Sequence, residues 1–268
     1  VEGKPVLIEQ TGRYGANLGY IKIDLSNLPK IQEAKMIPVV GVNPKKFDKK
    51  IMKFLEPFRH DVDSINARQI AISAVNMLNT KQYTSSTLIS NMTADIVYQY
   101  SLQVADSLGW THGVDLSLIN CGGIRIPMDA GAVTEGQILS TFPFVNYVEI
   151  VEMPGSLLSA ALAQAALQRG QAVSAGTEIA LSEDGKEVVS ILVNGRLVNP
   201  DRTYYVATLD YLAGGGDYLS EMKKAKSIWR DHKELCASIM QYIVNKGKAG
   251  MPLNPDPVPR IVSAKYFE

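Results

Sequence analysis

Residues 177–209, TEIALSEDGKEVVSILVNGRLVNPDRTYYVATL, hold two dipeptides, Asp184-Gly185 and Asn194-Gly195, each flanked by apolar and β-branched residues. Both central positions of a type I′ hairpin turn want a positive φ, which Asn, Asp and Gly tolerate best, so this stretch predicts antiparallel hairpins. Helical patterns lie on the N-terminal side. Residues 156–168 are alanine-rich and stop at Gly170. Residues 85–108 place Leu88, Met92, Ile96 and Tyr100 on one stripe, with Gly109 as the stop. Hairpins mixed with helices, without regular strand–helix–strand alternation, predict an α+β fold: mixed β-sheets with flanking helices rather than a doubly wound parallel sheet. No G-x-G-x-x-G joins a strand to a helix, which disfavours a dinucleotide fold.

The first forty residues read as short strands. Residues 6–10 (VLIEQ) are mostly apolar, and residues 20–25 (YIKIDL) alternate apolar and polar at period two. Gly12, Gly15 and Gly19 supply bends between them. Residues 31–40 (IQEAKMIPVV) predict a third strand running into a break at Gly41 and Pro44. One or two hairpins bury too little to fold alone, so residues 1–43 read as the tail of an upstream domain. Residues 44–63 read as a linker, lysine-rich and helical over 44–59, and residues 64–268 as the principal domain. Within it, residues 116–119 (LSLI) predict a short buried strand leading into NCGGIR. Thr134 and Gln137 fit a capping box that opens a helix ending before Phe142. Residues 147–153 predict a strand and residues 232–246 a last helix stopped by Gly247. The Pro-rich PLNPDPVP then leads to a final short strand.

Lys and Arg number 27 and Asp and Glu number 27, giving zero formal charge. A neutral chain without a basic block lacks the field that nucleic acid or an anionic membrane surface needs. No stretch approaches the ~18 uninterrupted apolar residues of a membrane span. Two cysteines (Cys121, Cys236) make no disulfide framework. Three distant histidines (His60, His112, His232), without HxH, HExxH or CxxC, give no metal site by local spacing. The opening VEGKPVLIEQ has no basic or apolar leader and reads as a mature or truncated fragment.

Three loops carry more polar, glycine and aromatic residues than a connector needs. In the first, Asn120-Cys-Gly-Gly-Ile-Arg125, paired glycines expose backbone N–H groups, Asn120 offers a donor and an acceptor, and Arg125 can fork onto an anion. The same residues also fit a tight turn with a salt-bridged arginine. The second, Phe144-Val-Asn146, presents an aromatic that is equally a core residue. In the third, Tyr211-Leu-Ala-Gly-Gly-Gly-Asp217, three glycines bring a carboxylate after an aromatic, which suits either a surface loop or a ligand site. Taken together, a carboxylate suits a ribose diol and two rings suit a base, each stacked ring being worth about 1–3 kcal/mol. Cys121 inside the first loop packs as a small apolar group, since a nucleophile would need a base partner that the sequence does not reveal.

NCGGIR at 120–125, TFPFVNYVEIVEMPGSLLSAAL at 141–162 and YLAGGGDY at 211–218 stand in the order and spacing of the C-terminal domain of 5′-nucleotidases, a family that includes UDP-sugar hydrolases and 2′,3′-cyclic-nucleotide phosphodiesterases. PVLIEQTGRYGANLGYIKIDL at 5–25 resembles the last strands of that family's N-terminal metallophosphatase domain. The resemblance implies a fold of α/β/β/α layers and a nucleotide or nucleoside ligand. It implies that Phe144 and Tyr211 stack on either face of the base and that Asp217 binds the ribose hydroxyls. Asn120 would bind the base or ribose side of the ligand, Gly122 and Gly123 would allow close approach, and Arg125 would grip the phosphate. Asn146 would lie where some members place a base contact.

Two departures qualify it. Members often supply further arginines near the start of the 85–108 helix, where this chain has TSSTLISN. None of the family's metal-binding motifs is present either. Hydrolysis is therefore expected only with a metallophosphatase domain, in cis or in trans, that carries a divalent metal pair of Zn or Mn type. The alternatives are the same scaffold acting on UDP-sugars, cyclic nucleotides or a non-nucleotide substrate, and a non-catalytic binding module. By resemblance the location is periplasmic, secreted or cell-surface.

Overall fold

In a computed structural model of the chain, the described residues are 6–12, 15–39, 43, 45, 47–83 and 85–262. The chain divides into two compact units, one ending at His60 and the other starting at Asp61. In the first, β1 (Asn17–Asp24) pairs antiparallel with β2 (Lys30–Pro38), from Asn17 opposite Pro38 to Asp24 opposite Lys30. The strands expected at 20–25 and 31–40 thus form one hairpin. Residues 6–10 form no strand: Val6 and Ile8 stand exposed, and no ladder among the described residues includes this segment. The break expected at Gly41 and Pro44 lies outside the described residues. Helix α1 (Lys49–Ala67) is opened by the Asp48 carboxylate, which accepts from the amides of Lys50 (2.8 Å) and Ile51 (3.1 Å), and it buries none of its residues.

The second unit is built on a five-stranded mixed sheet. It contains β4 (Leu116–Asn120), β6 (Tyr147–Pro154), β7 (Gln171–Val173), β11 (Thr203–Leu209) and β12 (Lys226–Glu234), in the order β12-β6-β11-β4-β7. β11 runs parallel to β4 and the other pairs are antiparallel. Alternation along these strands fills two cores. Ile119, Val148, Ile150, Ala207 and Leu209 face one, packed with α2 (Leu88–Ser107), α3 (Glu135–Thr141) and α6 (Leu235–Lys248). Leu116, Leu118, Val151, Met153 and Val206 face the other, packed with the alanine-rich α4 (Gly155–Gln168). A four-stranded sheet closes that second core. Its strands are β8 (Thr177–Leu181), β9 (Val188–Val193), β10 (Arg196–Leu197) and β13 (Ile261–Val262), in the order β10-β9-β8-β13. A short antiparallel pair, β3 (Gln69–Ser73) and β5 (Gly131–Thr134), packs under α6. This is the mixed-sheet α+β architecture that the sequence predicts.

Several local signals hold. Asn194 and Gly195 both take positive φ (52° and 71°) in a two-residue turn between β9 and β10. Gly109 (φ 68°) ends α2: its amide bonds to the Asp106 carbonyl and the Trp110 amide to the Ala105 carbonyl, the double closure that favours glycine. The Thr134 hydroxyl accepts from the Gln137 amide at 3.2 Å, the first half of the expected capping box.

Others differ. The Asp184-Gly185 turn is a longer loop over residues 182–187, because the Asp184 carboxylate accepts from the Ser182 hydroxyl (2.8 Å) and the Lys186 amide (3.1 Å) and widens the bend. The last helix starts at Leu235 rather than 232, since residues 226–234 form edge strand β12. Nor does it stop at Gly247. It closes at Gly250 (φ 67°), with the Gly250 amide on the Gly247 carbonyl and the Met251 amide on the Lys246 carbonyl. Gly247 instead lets α6 lie against β3, for a Cβ there would come within 1.9 Å of the Ile70 carbonyl oxygen.

Candidate functional site

β4 ends at Asn120 and the chain turns at once through a single 3₁₀ turn, Cys121–Gly123, pinned by the Cys121 amide on the Gly170 carbonyl (2.8 Å). The Asn120 Oδ1 is buried with no hydrogen-bond partner, so the site holds an acceptor with unmet demand. A Cβ added at Gly122 would stand 3.2 Å from the Tyr83 hydroxyl, whereas one at Gly123 would meet nothing within 4 Å. The open side of the turn is therefore at Gly123. Arg125 folds back, its Nη1 donating to the Gly122 carbonyl (3.2 Å), and its guanidinium carbon lies 5.7 Å from the centre of the Phe144 ring.

Asn120 and Gly123 line one narrow cleft with Thr93, Phe144, Asn146 and Leu235. Phe144 is half exposed at its mouth (50%). Two of the three sequence loops thus converge directly.

The third is tied in through Asp210, the first residue of the short helix α5 (Asp210–Ala213). Its Oδ1 accepts from the Tyr147 amide (3.0 Å), the Tyr211 amide (2.9 Å) and the Asn146 Nδ2 (3.4 Å), and its Oδ2 accepts from Arg230 (2.7 Å). Tyr211 is 45% exposed, and its hydroxyl donates to Asp217 Oδ1 at 3.0 Å while accepting from the Asp217 amide at 3.2 Å. Gly216 lies so close under the Tyr211 ring that a Cβ would fall 2.6 Å from it. Asp217 and Tyr218 both adopt left-handed backbone (φ 49° and 61°), a conformation costing about 1–2 kcal/mol per residue with a side chain. Outliers of this kind concentrate at ligand-binding loops.

Cys121 is fully buried, and burial foremost pushes its thiol up to about 12. The Ser90 contact opposes that rise, and the charge of Asp217 adds to it. The thiol stays neutral and serves packing rather than nucleophilic chemistry. Among the described residues there is no group of three His, Cys, Asp or Glu side chains placed to hold a metal ion.

Asp210, Arg230 and Tyr83 escape a sequence reading. The signal for Asp210 is its place between the end of a strand and Tyr211, where a short acceptor can cap neighbouring amides.

A family model described as the 5′-nucleotidase C-terminal domain matches residues 68–224, more than half of the chain and inclusive of all three loops. The chain belongs to the 5′-nucleotidase C-terminal domain family. The Bos taurus 5′-nucleotidase is 22% identical over a 272-residue alignment that covers 94% of this chain and 47% of the relative. Protein UshA of Yersinia enterocolitica is 34% identical over 107 residues, 39% of this chain and 20% of the relative. The crystal structure of a 5′-nucleotidase precursor from Thermus thermophilus superposes with a TM-score of 0.64 at 21% identity, over 98% of this chain and 52% of that one, which shows the shared fold. The chain spans about half the length of the 5′-nucleotidases it matches. The 5′-nucleotidase C-terminal domain is thus the family of the second unit, and 5′-nucleotidases are hydrolases.

Proposed function

We propose that the chain is the nucleoside-phosphate-binding, substrate-specificity part of a 5′-nucleotidase-type phosphoester hydrolase in nucleotide catabolism. In this reading Phe144 and Tyr211 clamp the base and Asp217 takes the ribose hydroxyls. Asn120 uses its unpartnered Oδ1 on a base or ribose donor, and Gly122 and Gly123 give the ligand room. Arg125 holds the phosphate. Asn146 has its nitrogen on Asp210, which leaves its oxygen for the base. Residues 1–43 are the tail of a metallophosphatase domain, 44–63 the linker and 64–268 the binding domain.

Hydrolysis belongs to a dimetal domain outside this chain, in cis or in trans, and this chain by itself is inactive. The protein acts in the periplasm, outside the cell or at its surface, a location that rests on the family resemblance. No helix among the described residues is long and apolar enough to cross a membrane.

The observation that most supports the reading is that one carboxylate, Asp210, joins the backbone of the Phe144 loop to that of the Tyr211 loop, leaving both rings half exposed. Calorimetric titration with AMP and adenosine tests it. Saturable AMP binding is expected, weakened about tenfold or more in Asp217→Ala because a charged hydrogen-bonding group is lost. No saturation up to millimolar AMP, with Asp217→Ala behaving as the parent, would overturn it.

A further inference from the structure

We infer that Asp210 is a positioning residue: it fixes the separation of the two aromatic loops without touching the ligand. This role rests on the nucleoside-binding reading above. The β6–β11 ladder has its last pair at Val148 and Leu209. Beyond that pair the two strands lead to different loops, one reaching Phe144 and the other Tyr211. The Asp210 Oδ1 takes the place of a ladder carbonyl, accepting from the Tyr147 amide at 3.0 Å and the Tyr211 amide at 2.9 Å. A third donor, Asn146 Nδ2, reaches the same oxygen. The Asn146 carbonyl in turn accepts from the Leu235 amide at 2.7 Å, and its amide bonds to the Phe144 carbonyl at 3.1 Å, so the Phe144 loop is held from both sides.

The other carboxylate oxygen is held by Arg230, whose guanidinium lies 5.1 Å from the centre of the Tyr147 ring. The Asp210 side chain is 17% exposed and that of Arg230 53%, so the anion sits inside and its counter-charge covers it. Hydrogen bonds to an ionised acceptor are shorter and stronger than neutral ones, which suits a fixed spacer. A flat heterocycle between two rings needs them about 7 Å apart, twice the ~3.5 Å contact distance between carbon atoms. A spacer that slips by an ångström leaves one ring out of contact and costs affinity steeply.

The experiment compares the full chain with Asp210→Ala, Asp210→Asn, Arg230→Ala, Phe144→Ala and the Asp210→Ala/Phe144→Ala double variant. AMP affinity is read by calorimetry and amide hydrogen exchange by NMR without ligand. Asp210→Ala is expected to bind AMP about tenfold or more weakly. Asp210→Asn, which keeps an acceptor oxygen, and Arg230→Ala should lose less. The double variant should lose little beyond Phe144→Ala alone, because both changes disable the same clamp. Exchange should accelerate at the Tyr147 and Tyr211 amides and stay unchanged at mid-strand Val151 and Val206. An unaltered affinity in Asp210→Ala, or losses that add in full, would sink the inference. If the parent does not bind AMP, the nucleoside reading fails, and exchange decides alone: unchanged protection at Tyr147 and Tyr211 overturns the positioning role, and a local loss upholds it. Should Asp210→Ala not fold, Asp210→Asn and Arg230→Ala carry the same two readouts.

Discussion

At Gly123 an added Cβ meets nothing within 4 Å, while at neighbouring Gly122 it presses on the Tyr83 hydroxyl at 3.2 Å and the Asn120 amide nitrogen at 3.7 Å. Neither glycine has a positive φ, so space rather than backbone conformation separates them. Gly123→Ala is therefore expected to leave thermal stability almost unchanged, within the ~0.5 kcal/mol typical of substitutions that touch nothing. Gly123 itself lines the cleft with Asn120, Phe144 and Asn146, so under the nucleoside reading a methyl there is expected to lower AMP affinity about tenfold. Thermal denaturation alongside calorimetry checks both halves. A stable Gly123→Ala chain that binds AMP as the parent does would show that the ligand does not approach this turn. Asp210, the residue inferred to space the two aromatic loops, was hidden from sequence reasoning because its partners are distant in the chain. Asn146, Tyr147 and Arg230 lie 64, 63 and 20 positions from Asp210, and local pattern carries nothing about a carboxylate shared over such spans. The three loops stand out in the sequence because each bears an excess of aromatic, glycine or polar residues within a few positions, and the structure brings Asn120, Gly123, Phe144 and Asn146 of two of them to one cleft.

Helix ends show the same divide between local and distant causes. Gly109 stops α2 as predicted, since the double closure is a property of the last turn and needs only a left-handed residue there. Gly247 has the same local appearance near the end of α6, yet it lies inside the helix because the strand beneath it requires close approach. β12 went unread because its residues are mostly exposed and show no period-two burial at this edge of the sheet. The two roles of glycine predict opposite signs for Gly247→Ala. Helix propensity alone would stabilise α6 by about 1 kcal/mol. The alanine Cβ would stand 1.9 Å from the Ile70 carbonyl oxygen and 3.1 Å from the Ala71 Cα, both backbone atoms that cannot swing aside. Forced overpacking costs about 1–3 kcal/mol, and contact with backbone belongs at the upper end. Net destabilisation of about 1–2 kcal/mol is expected in urea unfolding, the difference of these two effects. A more stable Gly247→Ala chain would mean that α6 and β3 are not packed this closely.

Over the whole molecule, burial is distributed unevenly. Among the described residues every buried side chain lies at Ala71 or beyond, while β1, β2 and α1 contribute none. The five-stranded sheet fills a core on each face, and both cores draw only on residues of the second unit. A domain of roughly 200 residues with its own two-sided core falls within the size range that folds independently. An isolated two-stranded hairpin does not. A chain cut to residues 61–268, which keeps the last seven residues of α1, is thus expected to unfold in one cooperative step. Its midpoint should fall within about 2 °C of the parent's, since removing exposed residues deletes no core contact. All eight proposed ligand residues remain, so its AMP affinity should match that of the full chain within about twofold, or ~0.4 kcal/mol. Calorimetric unfolding and titration of the two chains side by side decide the matter. A trimmed chain that aggregates, or that melts far below the parent, would assign a stabilising role to residues 1–60 that their exposure does not suggest. Equal stability with lost AMP binding would overturn the expectation that residues 61–268 suffice for binding.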